Sequence, residues 1–283
     1  MENVLVCVDG STHAISCCAH ALALAKIGGA HVDVLYASDI RSFESCMVNE
    51  FDSDGYTPEA VGHLRALEEL KAKRIEKNVR NIFRSGDYGD HVDFHHLHGF
   101  ILDIIGEFAQ NTRGVDLLVV GRRGEHSGSF KEHIGSTAER IIKASMMPCL
   151  VAAEKYMPIN CIMIAYDGSE HSEAAVRSLL ALGTIPYGEV HLVTVEAENA
   201  PSLEAAHLEK VCQSLGNTNI EIITARLSGR VDEAIVRYIE VHSIDTLVMG
   251  AYGRSGIRHF FVGSNTAKIL ASTGITAIVC RCS

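Results

Sequence analysis

Tryptophan is absent from the sequence, and proline occurs only five times in 283 residues. That scarcity argues against proline-rich or low-complexity segments. Runs of lysine and arginine are also missing. Acidic residues number 35 against 25 basic ones, for a formal net charge of −10. Without a basic face for a phosphate backbone, no nucleic-acid partner is expected. No apolar stretch approaches the ~18 residues of a membrane span, so no membrane span is expected. The first residues, MENVLVCVDG, lack the basic region, apolar stretch and cleavage site of a signal peptide. A cytoplasmic location is the resulting expectation. The nine cysteines show no framework spacing. In that compartment they read as reduced thiols, mostly small buried side chains, with a redox role as the alternative. Cys280 and Cys282, two apart on an expected strand, are poorly placed to pair with each other.

What is present is an ordinary globular composition, 47% hydrophobic and 21% charged, long enough for two domains with a core each. The chain repeats itself. Val4–Lys26, VLVCVDGSTHAISCCAHALALAK, matches Ile162–Gly183, IMIAYDGSEHSEAAVRSLLALG. VDLLVVGRRG (Val115–Gly124) matches IDTLVMGAYG (Ile244–Gly253), and SMMPCLVAA matches STGITAIVC. Features recur in the same order, so the chain reads as a duplication with domains at 1–154 and 159–283.

Within each half, short apolar runs alternate with helical patterns. Strands are expected at 3–8, 31–37, 91–97, 115–120 and 148–153, then at 160–166, 188–195, 218–225, 244–249 and 275–281. Helices are expected near 12–27, 59–85, 100–112 and 136–145, then near 170–182, 201–215, 230–242 and 265–272. Continuous apolar strands such as LLVV and TLVM suit a parallel sheet covered on both faces. The alternation predicts a doubly wound α/β fold. A polar, acidic insert, SDIRSFESCMVNEFDSDGY, sets the first half apart and is expected to be a surface flap.

Glycines cluster after the fourth strand of each half. The second half has Gly250-x2-Gly253-x9-Gly263-Ser264, and the first has Gly121, Gly124, Gly135, Ser136 and Thr137 with one more residue in the long gap. Glycine lets backbone N–H groups line one concavity, and the helix that follows offers free N–H groups to an anion. Ser136-x-x-Glu139 also reads as a capping box, a structural alternative for that serine. A Walker A sequence and a dinucleotide fingerprint are both missing. Asp9 and Asp167 end the first strands. At the switch point of a doubly wound sheet, each would face the same crevice as its glycine loop. There an aspartate can accept from ribose hydroxyls or hold a hydrated metal ion, or it can cap the next helix. Gly99 and Gly229 each precede a helix at equivalent points. Arg122, Arg123, Arg254, Arg258 and His259 lie in the loops as phosphate clamps or solvated charges. HVDFHHLHG (His91–Gly99) places His91 and His95 on one strand face and His96 and His98 on the other. No carboxylate or thiolate at a convincing spacing completes a four-ligand set. No Ser-His-Asp or Cys-His nucleophile pattern occurs.

On these motifs the whole chain resembles a tandem universal stress protein of the ATP-binding subgroup, whose pattern Gly250, Gly253, Gly263 and Ser264 match in full. The resemblance implies two doubly wound five-stranded parallel sheets in order 3-2-1-4-5, one per domain, Rossmann-like and adenine nucleotide alpha hydrolase-like. It implies that the last strands of the halves pair, so that the domains pack as a pseudo-dimer. It places adenine against main chain near Val195 and Ala37, with Ala165 and Cys7 near the base. Asp167 and Gly250 would lie near the ribose, with Gly253, Gly263, Ser264 and Asn265 around the phosphates. Met249, and in the first half Asp9, Val120, Gly121, Gly124, Gly135, Ser136 and Thr137, complete the implied site. The cofactor would be ATP, or ADP or AMP, with magnesium as an accompanying ion. The implied function is stress-response regulation in which nucleotide occupancy switches conformation or protein partner. A slow magnesium-dependent ATPase and a nucleotide-free scaffold are the alternatives, and a homodimer of tandem chains stays open.

Overall fold

The computed structural model describes residues 1–38, 58–111, 114–124, 134–183, 188–196, 205–215, 220–250 and 263–282, without the side chains of 58–61, 111 and 263–265. The acidic insert beyond Ser38 lies outside the described residues. The first half contains strands β1 (Asn3–Val8), β2 (His31–Ser38), β3 (Val92–His98), β4 (Leu117–Gly121) and β5 (Cys149–Ala152). Its helices are α1 (Thr12–Gly28), α2 (Pro58–Ser85), α3 (Ile101–Asn111) and α4 (Ser136–Ala144), and Gly89–His91 form one 3-10 turn. The second half repeats the order with β6 (Cys161–Ala165), α5 (Glu170–Leu182), β7 (Glu189–Glu196), α6 (Ala205–Leu215), β8 (Glu221–Ser228), α7 (Val231–Val241), β9 (Thr246–Gly250), α8 (Gly263–Thr273) and β10 (Thr276–Cys280). Among the described residues no helix is long and apolar enough to cross a membrane.

Each half has the order 3-2-1-4-5, but the two sheets are not separate. They form one ten-stranded sheet, β3-β2-β1-β4-β5-β10-β9-β6-β7-β8. The joint is antiparallel, with Ala277 opposite Val151, Ile278 opposite Leu150 and Val279 opposite Cys149. All six side chains are buried, so pairing hides two apolar edges that would otherwise invite association.

Alternation along the strands sorts the core into two layers. Val4, Val6 and Val8 point to one face with Cys17, Ala21 and Leu24 of α1, Ile75 and Phe83 of α2, and Leu179 of α5. Leu5, Leu118, Val120, Met163 and Met249 point to the other, against Phe108 of α3, Ile142 of α4, Ile235 of α7 and Ile269 of α8. Both layers run across the joint. Strand β8 occupies 221–228, shifted from the expected 218–225. It is an edge strand, and its neighbour sets its length: Glu221 to Ser228 pair in register with Glu189 to Glu196.

Side chains also bolt the halves together. Arg122, buried beyond β4, donates to the carbonyl oxygens of Leu270, in the last turn of α8, and of Ile275, just before β10. Arg281, beyond β10, donates to the Lys143 carbonyl at the end of α4. Cations thus sit where helix dipoles leave carbonyls unpaired. His20 Nε2 lies 3.0 Å from Thr276 Oγ1, and the ring packs edge-on against Tyr156.

Candidate functional site

An aspartate stands just beyond the first strand of each half, Asp9 one residue after β1 and Asp167 two after β6, and the chain then turns into a helix. Asp9 Oδ1 accepts from the Ser11 N–H at 2.9 Å, and Asp167 Oδ1 from the Ser169 N–H at 3.0 Å. Ser11 and Ser169, not the aspartates, occupy the N-cap positions. Ser169 Oγ accepts from Ser172 N–H at 3.2 Å. The Ser11 hydroxyl is buried with no hydrogen-bond partner.

In the first half the glycine loop reaches the aspartate. A β-carbon placed on Gly124 would lie 2.7 Å from Asp9 Oδ2. The Gly135 N–H donates to the Arg122 carbonyl at 3.0 Å, which holds the start of α4 on the loop. A β-carbon on Gly135 would lie 3.4 Å from Arg123 Cα and 3.5 Å from Gly124 N. Asp9, Gly124 and Gly135 are therefore brought together at the carboxyl edge, between β1 and β4. Gly121 has another reason to be glycine: its missing β-carbon would lie 2.8 Å from His13 Cβ. In the second half, Ala165 and Met249 are register partners on adjacent strands, and Asp167 and Gly250 follow them. A β-carbon on Gly250 would lie 2.5 Å from the His171 carbonyl oxygen and 2.7 Å from its Cβ. Gly253 lies outside the described residues, as do Arg254, Arg258 and His259. Gly263, Ser264 and Asn265 open α8.

Val195, Ala165 and Met249 have fully buried side chains, so they offer a ligand only main chain. Ala37 and Cys7 occupy the equivalent sheet face in the first half. Gly99 and Gly229 carry φ of 143° and 110°, a backbone that side-chain-bearing residues rarely adopt.

Two readings of the loop are corrected. The capping box at Ser136 does not form. Gly135 is the N-cap, Ser136 is the first helical residue, and Glu139 pairs with Lys143 at 2.6 Å. Arg122 is no phosphate clamp, since its guanidinium is buried in the joint, where desolvation and then Arg123 lower its pKa to about 10. The expected strand placement of His91 also fails: it ends the 3-10 turn, one residue before β3.

Sequence reasoning missed His13 and His171, although histidine recurs four residues after each aspartate. His171 Nδ1 accepts from the Cys282 N–H at 3.2 Å, while burial, chiefly, holds His13 below the usual imidazole range. Burial likewise pushes the thiols of Cys7 and Cys18 up to about 12. No disulfide joins the described cysteines.

A family model described as the Universal stress protein family matches residues 1–153 and again 159–281. Universal stress protein Slr1230 of Synechocystis is 32% identical over 290 residues, covering 99% of this chain and 100% of that protein. The chain belongs to the universal stress protein family, in tandem form. Universal stress protein MJ0531 of Methanocaldococcus jannaschii is 26% identical over 151 residues, covering 53% of this chain and 81% of that one. A solved universal stress protein from Archaeoglobus fulgidus superposes with a TM-score of 0.70 at 18% identity, covering 99% of this chain and 98% of that one. That likeness extends to the fold of this tandem universal stress protein.

Proposed function

We propose that this protein is a stress-response regulator that binds an adenine nucleotide, ATP or its products ADP and AMP, at the carboxyl edge of the sheet. The observation that carries the reading is the approach of Gly124 to Asp9, which puts a carboxylate and a glycine-lined backbone in one crevice. A carboxylate there accepts from ribose hydroxyls, and helix N-termini with glycine beside them favour phosphates. In the second half the site comprises Ala165, Val195 and Met249 at the base through main chain, Asp167 and Gly250 at the ribose, and Gly253, Gly263, Ser264 and Asn265 at the phosphates. In the first half it comprises Asp9, Ala37, Val120, Gly121, Gly124, Gly135, Ser136 and Thr137, with Ala37 at the base. Magnesium accompanies the triphosphate. The two domains, 1–154 and 159–283, act in the cytoplasm as an internal pseudo-dimer, and nucleotide occupancy selects their conformation or protein partner.

Equilibrium dialysis of the intact chain against ATP, ADP and AMP tests this. The expected result is saturable binding that weakens at least about tenfold in Gly263→Ala, equivalent to ~1.4 kcal/mol. Nucleotide at a hundred times its Kd should also stabilise the fold by about 2.7 kcal/mol. Absence of saturable binding by any of the three, or a Gly263→Ala variant that binds like the parent, would remove the proposal.

A further inference from the structure

Two histidines from β3 and one carboxylate from α2 meet on the sheet face opposite Ala37. His96 and His98 are two apart on the strand and so share that face. Glu69 Oε1 lies 3.6 Å from His96 Nδ1 and 3.7 Å from His98 Nε2. The three ligand atoms all lie within 4.8 Å of one another. Neither imidazole–carboxylate distance is a hydrogen bond. The other nitrogen of each ring is engaged. His96 Nε2 and His98 Nδ1 stand 2.9 and 2.8 Å from the Ser38 hydroxyl oxygen, which is buried at the end of β2.

We propose that Glu69, His96 and His98 form a site for a borderline divalent transition ion of the zinc type, with Ser38 as the outer group that orients both rings. When both N–H groups donate to Ser38 Oγ, the lone pairs of His96 Nδ1 and His98 Nε2 face the Glu69 carboxylate. Three donors then converge with no proton between them, which suits a cation. Bonds of about 2.0–2.2 Å put tetrahedral ligand atoms roughly 3.3–3.6 Å apart, close to the two distances from Glu69. A hydrogen bond on the far ring nitrogen is what fixes the tautomer of a ligating histidine. Three protein ligands leave a fourth position, open to water because Glu69 and His98 are about half exposed.

Neighbouring clusters lack this arrangement. In Cys161–Glu189–His191 both ring nitrogens are occupied, Nδ1 by Tyr238 Oη at 2.8 Å and Nε2 by Glu189 at 2.5 Å. In His31–Asp33–Asp93 the Asp33 oxygen already pairs with His95 Nε2 at 2.7 Å. Among the described residues the duplicated half carries no copy. By strand register, Thr194, Glu196, Arg226 and Ser228 stand where Tyr36, Ser38, His96 and His98 stand in the first half. An Arg226–Glu196 ion pair at 2.8 Å occupies that place.

The test uses the full chain, stripped with a chelator and then titrated with zinc chloride by calorimetry, with cobalt(II) absorption as a second readout. One ion per chain is expected, with a four-coordinate cobalt spectrum. Glu69→Gln and His98→Ala, both at half-exposed positions, should each lose at least about tenfold in affinity, and Ser38→Ala roughly 10–100-fold, the usual effect of removing an outer-shell partner. His31→Ala and Cys161→Ser should bind like the parent. The proposal is overturned if the parent chain takes up no zinc, if cobalt stays a six-coordinate aquo ion, or if both ligand variants bind like the parent. Loss of the ion in His31→Ala or Cys161→Ser with retention in His98→Ala overturns it equally.

Discussion

A β-carbon on Gly250 has nowhere to go. It would meet the carbonyl carbon and oxygen of His171 in the first turn of α5, and backbone in a helix cannot step aside. Gly250→Ala should therefore destabilise the protein by about 1–3 kcal/mol, the usual range for overpacking. Gly106, inside α3, has nothing within 4 Å of its missing β-carbon. Gly106→Ala should stabilise by roughly 0.5–1 kcal/mol through helix propensity and a less flexible unfolded chain. Urea denaturation midpoints of both variants check the pair, and equal shifts would contradict it. The sequence flagged Gly250 as important because it recurs after each fourth strand. That its neighbour is a helix backbone could not be read from it, because spacing along the chain does not record which turn lies overhead.

At the scale of elements, helices and strands were legible because hydrophobic periodicity is a local property. β1, α5 and the first turn of α4 appear where the pattern puts them. What periodicity does not carry is contact between elements. Glu69 sits far from His96 in the chain, so no motif spacing could supply the third member of that cluster. Arg122 stood in a glycine loop and looked like a ligand contact, yet it spans the joint to the end of α8. Arg122→Ala should cost about 2–4 kcal/mol, since it removes two charge-assisted hydrogen bonds and leaves carbonyls unpaired. Arg122→Lys should recover little of that, because a point ammonium does not reproduce a planar fork. Thermal melts of both variants beside the parent are the check. A lysine variant as stable as the parent would show that charge alone suffices.

At the scale of the molecule, the joint makes stability depend on pH. Burial holds His20 down at about 4 in the folded chain, against an ordinary value of 6.5. Between those values the unfolded chain binds a proton that the folded chain refuses. Stability contributed by neutral His20 is thus fully present above 6.5, falls as pH drops toward 4, and changes no further below that. At about 1.4 kcal/mol per pH unit, the total is on the order of 3 kcal/mol. Melting temperatures of the parent and His20→Gln across pH 7.5 to 4 should diverge in slope over this window, the parent losing more. Parallel curves would mean that the imidazole is solvated in the folded state.

The sequence by itself determined the duplication and the α/β alternation, because both follow from local patterns that occur twice, and its motifs carried the resemblance to the family that implied the strand order within each half. Pairing of the last strands was implied by the resemblance, but tertiary structure alone decided that this pairing merges the two sheets into one of ten strands, that Arg122 and His20 belong to the joint, and that Glu69 faces two histidines. The reason is physical: periodicity and turn chemistry act over a few residues, whereas edge pairing and side-chain convergence depend on which surfaces the folded chain brings together.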